Sequence, residues 1–202
     1  MANPQATGHV PDPDSHIAAF FTVATQALVN EDKFLAEHMA DCELDGFYHD
    51  YHQGIQFLFE TTLVYLIFRE LLATDFVRKQ QCEVRWEESY DDNIAKKADL
   101  VLKHRSLPSA YIECKIWRHE YAEDLKADIR KMTVLPPESR RFLLVLWVDQ
   151  RTPEANVEWL ERNLGVSAVR HCCFQTRTRN RFKEIETRNL VLALLEVARG
   201  AR

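Results

Sequence analysis

Apolar residues at Ile17, Phe20, Phe21, Ala24, Leu28 and Leu35 recur at helical spacing. They predict a first helix, capped by Asp14 or Ser15, that runs to about residue 39. A second, strongly apolar helix is predicted over 51–73, and a β-type segment over 77–86 has Val84 and Trp86 on one face. Two short strands follow over 98–103 and 110–117, with Pro108 and Ser109 marking the turn between them. Helical spacing returns over 121–133, where Tyr121, Leu125, Ile129 and Met132 form one stripe, and Pro136 and Pro137 end it. The run FLLVLWV within 141–149 is continuously apolar, as suits a strand covered on both faces. Beyond it a helix over 153–163, a strand over 169–178 and a final helix over 183–198 complete the expectation.

Strands mixed with a crossover helix imply an α/β or α+β sheet with helices on both faces. Residues 1–13 are Pro-rich and polar and read as a flexible tail, 41–50 reads as a loop, and 14–202 reads as one domain. There are no internal repeats and no low-complexity tract.

Composition narrows the function. Apolar residues make up 46% and charged residues 28%, an ordinary balance that permits a sizeable core. The formal net charge of −5 argues against a protein that coats nucleic acid nonspecifically, but not against an enzyme whose carboxylates hold metal ions. The most apolar stretch, 57–72, is interrupted by Glu60, Thr61, Thr62, Arg69 and Glu70, so no membrane span is expected. Residues 1–15 lack the basic start and apolar segment of a secretory signal. Five cysteines without CxxC spacing suit reduced thiols and a cytoplasmic location.

The chemistry concentrates in ADLVLKHRSLPSAYIECKIW, residues 98–117. Strand alternation sends Glu113 and Lys115 to one side and Ile112, Cys114 and Ile116 to the other. Asp99, on the preceding strand across a short hairpin, is positioned to meet Glu113. Two converging carboxylates can hold a hard divalent cation, and an adjacent lysine can orient or deprotonate a water, or stabilise developing charge. The alternative is a solvated Glu–Lys pair on an edge strand. The apolar neighbours Leu100, Val101, Leu102, Ile112, Ile116 and Trp117 favour central strands, where charges need a reason.

An acidic residue on one strand followed by Glu-x-Lys on the next resembles the signature of the PD-(D/E)xK, restriction-endonuclease-like nuclease superfamily. The likeness extends over about half the chain, residues 51–149, with Ala98 where the motif's name has proline. It implies an α/β fold: a mixed-sheet core in the order α-β-β-β-α-β, flanked by helices, with an N-terminal helical addition and a C-terminal α-β-α extension. It also implies a nuclease that hydrolyses phosphodiester bonds, DNA ahead of RNA, with Mg²⁺ or Mn²⁺ as cofactor. By position, Asp99, Glu113 and the backbone carbonyl of Cys114 would be metal ligands and Lys115 the catalytic lysine. A homodimer is compatible, because one site cuts one strand at a time. The competing expectations are a noncatalytic nucleic-acid-binding or assembly module of the same fold, and an unrelated α/β interaction protein. In the second case Glu113 and Lys115 would lie far from Asp99.

Members of this superfamily often bring a glutamate from the helix before the first strand, and Glu60 and Glu70 are the candidates here. Glu60 falls within the apolar stripe of the predicted 51–73 helix, where an unpaired carboxylate is costly, and is preferred as a metal-site or water-positioning residue, the alternative being a buried structural pair. Asp124 and Lys126 read as a solvated helix face, while Asp128 borders the apolar stripe. Arg177, Arg179, Arg181 and Lys183 alternate; if extended they form a comb for phosphates, and if looped a solvated basic patch. Lys96, Lys97, Lys103, His104 and Arg105 flank the motif and add local positive charge. Neither His49, Asp50 and His52 nor the HCC run at 171–173 matches a metal motif.

Overall fold

The computed structural model describes residues 12–38, 54–90, 97–117, 122–148, 153–179 and 184–198. Helix α1 (Pro13–His38) is followed by a 3-10 turn (Ile55–Phe57), α2 (Glu60–Ala73) and the short α3 (Phe76–Lys79). Then come β1 (Cys82–Ser89), β2 (Lys97–His104), β3 (Ala110–Ile116), α4 (Ala122–Met132) and β4 (Arg140–Val148). Helix α5 (Pro153–Leu164), β5 (Val166–Arg179) and β6 (Ile185–Val197) complete the order. Among the described residues six strands form one mixed sheet in the order β1-β2-β3-β4-β6-β5; β3 and β4 pair in parallel and the other neighbours antiparallel. The chain is thus α/β. Among the described residues no helix is long and apolar enough to cross a membrane.

Each sheet face carries its own core. On one, Leu100, Leu102, Ile112, Cys114, Phe142 and Leu144 pack under α1 and α2. On the other, Val101, Tyr111, Leu143, Val145 and Trp147 pack under α4 and α5. Strand β3 feeds both layers by alternation, so Glu113 and Lys115 share the α4 side with Tyr111 while Cys114 faces α2.

Three expected elements change. The expected final helix over 183–198 is instead strand β6, so the C-terminal extension is α-β-β rather than α-β-α. Its leucines favour a helix intrinsically, yet β6 lies between β4 and β5 and is covered on both faces. Leu190, Leu192 and Leu194 enter one core while Val191, Ala193 and Leu195 enter the other. Tertiary burial outweighs propensity there. The helix expected over 51–73 begins at Glu60, because Phe59 is extended (φ −76°, ψ 150°). The strand expected over 77–86 is preceded by the turn of α3, where Arg78 pairs with Asp75 at 2.7 Å, and begins at Cys82. Of the tail expected over 1–13, Pro13 already begins α1, while residues 1–11, the loop over 41–50, His49, Asp50, His52 and Lys96 lie outside the described residues.

Candidate functional site

The site forms where β2 and β3 part company. Their antiparallel ladder runs from Leu102↔Ala110 to Leu100↔Ile112. One residue further, the Asp99 carboxylate takes the place of a strand partner: its Oδ2 accepts the Cys114 amide at 2.7 Å. The hairpin register therefore puts Asp99 against Glu113, and the two carboxyl groups interact directly. The Cys114 backbone is thereby fixed beside both acids.

Glu113 is 2% exposed. Burial first, and the neighbouring Asp99 second, push its carboxyl up to about 7. Two groups oppose that shift. Lys131 Nζ, from α4, donates to Glu113 Oε1 at 2.8 Å, and the Tyr90 hydroxyl donates to the same oxygen. The Lys131 ammonium also lies 5.2 Å from the centre of the Tyr90 ring, within cation–π range. Burial likewise raises Asp99 above the ordinary aspartate range, against the Cys114 amide and the charges of Lys131 and Lys115.

Lys115 faces a different pair of acids. Its Nζ donates to Glu60 Oε2 at 2.8 Å and lies 3.4 Å from Asp128 Oδ2. Burial works against the ammonium, but the Glu60 hydrogen bond and the Asp128 charge outweigh it, so Lys115 is held above the ordinary lysine range. Glu60 also accepts the Ile116 amide at 3.3 Å. It is the first residue of α2, in line with the buried stripe of Leu63, Val64, Ile67 and Leu71, and its partly exposed carboxylate sits where the helix dipole favours an anion. Asp128, near the middle of α4, is buried and raised in pKa chiefly by that burial. Beyond the ion pair with Lys115, its Oδ2 has no hydrogen-bond partner among the described residues.

The sequence therefore identified Asp99, Glu113, Lys115 and Glu60 as one constellation, and the structure brings all four together. Tyr90, Asp128 and Lys131 complete it. Asp128 was legible as a carboxylate beside the Leu125–Ile129 stripe, but Tyr90 and Lys131 carry no sequence signal beyond adjacency to β1 and to Met132. An open cleft of about 590 Å³ adjoins the group, lined by Phe59, Glu60, Lys115, Trp117 and Asp124 among others. Asp124 thus borders the cleft rather than a plain solvated face.

The basic comb stands apart from this group. Arg177 is exposed on edge strand β5, three strands from β3, or roughly 14 Å across the sheet. Past Phe174 and Leu190 the strands β5 and β6 pair, among the described residues, only with each other. They form a two-stranded ribbon that projects beyond the C-terminal ends of β3 and β4, the end that carries Lys115. Buried Thr176 anchors the ribbon to α1 by donating to Asp32. Arg179 continues the strand, whereas Arg181 and Lys183 lie outside the described residues. On β2, Lys97 and Lys103 pair with Glu87 and Glu88. His171 and Cys173 are exposed, and Cys172 contacts Thr25, so the HCC run builds no ligand set.

Four carboxylates (Glu60, Asp99, Glu113, Asp128) meet two ammonium groups (Lys115, Lys131), a formal excess of two negative charges in a largely buried site. Among the described residues no three acidic, His or Cys side chains stand close enough to grip an ion as arranged. A hard divalent cation held by the adjacent Asp99 and Glu113 carboxylates would offset that charge excess. Comparison of the chain with protein-family models, with curated proteins and with solved structures finds no match.

Proposed function

We propose that the chain is a metal-dependent phosphodiester hydrolase of the restriction-endonuclease-like kind, acting on nucleic acid, DNA ahead of RNA. The observation that carries this is the convergence of Asp99, Glu113, Lys115 and Glu60 at the C-terminal end of β3, beside an open cleft. Carboxyl ends of parallel strands are the usual ligand sites of α/β sheets. Asp99, Glu113 and the Cys114 carbonyl would hold Mg²⁺ or Mn²⁺. Bound there, such a cation would polarise the phosphoryl oxygen and acidify an attacking water.

Lys115 has a definite role in this scheme. Glu60 and Asp128 favour its protonated form, which suits a general base poorly. It acts instead as a fixed positive charge that orients the water or stabilises the oxygens that gain charge. Glu60 holds that ammonium in place through Oε2, while its Oε1 bond to the Ile116 amide fixes the carboxylate. The Arg177 ribbon, at the same end of the sheet, would reach phosphates flanking the cut.

The test uses the wild-type protein and Asp99→Ala on labelled DNA and RNA with Mg²⁺ or Mn²⁺. Cation-dependent cleavage that Asp99→Ala abolishes is expected. Cleavage that persists in Asp99→Ala would refute the mechanism. One observation favours a second reading, a noncatalytic module of the same fold: Lys131 and Lys115 already neutralise half of the acidic charge. Binding of nucleic acid without any cleavage would select it.

A further inference from the structure

Lys131 belongs to no motif, yet it makes the closest cation contact of Glu113, at 2.8 Å, and rests over the Tyr90 ring. Helix α4 delivers it by ordinary helical geometry. Leu125, Ile129 and Met132 pack on the sheet, which turns the flanking Asp128 and Lys131 toward β3. Glu113 also bears Asp99 as a like-charged neighbour, so its carboxylate, once ionised, needs a counter-charge when no cation is bound. An ammonium on a flexible four-carbon stem, about one-quarter exposed, can supply it and can leave.

We propose that Lys131 is the internal counter-ion of this site: it occupies the cation's place at Glu113 in the metal-free protein and is displaced when a divalent cation binds. Lys131 is a positioning residue that acts through Glu113, and this role rests on the metal-site reading above. The metal-free chain then avoids two uncompensated buried carboxylates, and cation binding includes the cost of breaking one ion pair. Removing the ammonium must therefore tighten cation binding, whereas a merely structural residue would, on removal, weaken it or leave it unchanged.

The test is calorimetric titration of Mn²⁺ alone into the full chain, as wild type, Lys131→Met and Lys131→Arg, each checked for folding by circular dichroism. Lys131→Met should bind Mn²⁺ about tenfold more tightly than wild type, within the range of ordinary site–site coupling. Lys131→Arg, which keeps the charge, should stay near wild type. Equal or weaker binding by a folded Lys131→Met overturns the proposal, as does the absence of Mn²⁺ binding to all three proteins. Cleavage by wild type with unchanged affinity in Lys131→Met leaves the nuclease standing and removes the counter-ion. Tighter Mn²⁺ binding without any cleavage does the reverse.

Discussion

Replacing Glu113 by glutamine should stabilise the metal-free protein while removing its response to cations. Glu113 keeps its proton to about pH 7 in the fold, against an ordinary value of 4.5. The unfolded chain thus ionises first, and the stability this group supplies below pH 4.5 is lost as pH rises to about 7. At about 1.4 kcal/mol per tenfold, the ionised form costs the fold about 3 kcal/mol at pH 8. A glutamine at this position fills the same volume, still accepts from Lys131 and Tyr90, and never ionises. Allowing for imperfect amide geometry, Glu113→Gln should be about 1–3 kcal/mol more stable than wild type at pH 8 in EDTA. In a chain of this length that is a Tm gain of roughly 3–10 °C. The gap should close at pH 4.5. Millimolar Mn²⁺ should raise the Tm of wild type but not of the variant. Thermal melts followed by circular dichroism at the two pH values read all of this. A Glu113→Gln protein less stable than wild type at pH 8, or a gap independent of pH, would contradict a Glu113 carboxyl raised by burial.

Further outcomes follow from other parts of the molecule. Burial, aided by the charges of His104 and Arg140, holds His16 down to about 4, so its contribution is complete above pH 6.5 and is lost as pH falls toward 4. The sign is opposite to that of Glu113, so His16→Phe should lose acid sensitivity in urea titrations at pH 4.5 and 7. Leu192, 1% exposed in the sheet interior, should cost about 2–5 kcal/mol as Leu192→Ala in the same titrations. Arg177→Ala should leave stability unchanged, because the side chain is exposed. It should also weaken DNA binding and flatten its salt dependence by about one phosphate contact, measured by fluorescence anisotropy.

The site was legible where strand alternation alone fixed it. The spacing of Glu113 and Lys115 and the short hairpin to Asp99 determine one face, and β2 and β3 obey that pattern. Glu60 was legible because it shares a helix face with Leu63, Val64, Ile67 and Leu71, whereas its place as the first residue of α2 depends on the extended Phe59, which spacing does not encode. Lys131 and Tyr90 were hidden because their roles depend on how α4 and the end of β1 dock, which local spacing does not encode. The last strand shows the limit most clearly. LVLALL in β6 carries the same continuous apolar signal as FLLVLWV in β4, but leucine and alanine also favour helices. Only the place of β6 between two strands decides the matter.

The cation dependence of cleavage tests whether Asp99, Glu113 and Lys115 form a phosphodiesterase site. End-labelled single- and double-stranded DNA and RNA are incubated with wild type and Lys115→Ala in Mg²⁺, Mn²⁺ or EDTA. At least one substrate should be cut by wild type with cation, none in EDTA, and the rate should fall about 100-fold or more in Lys115→Ala. Cleavage in EDTA, undiminished cleavage by Lys115→Ala, or no cleavage of any substrate by wild type would contradict such a site.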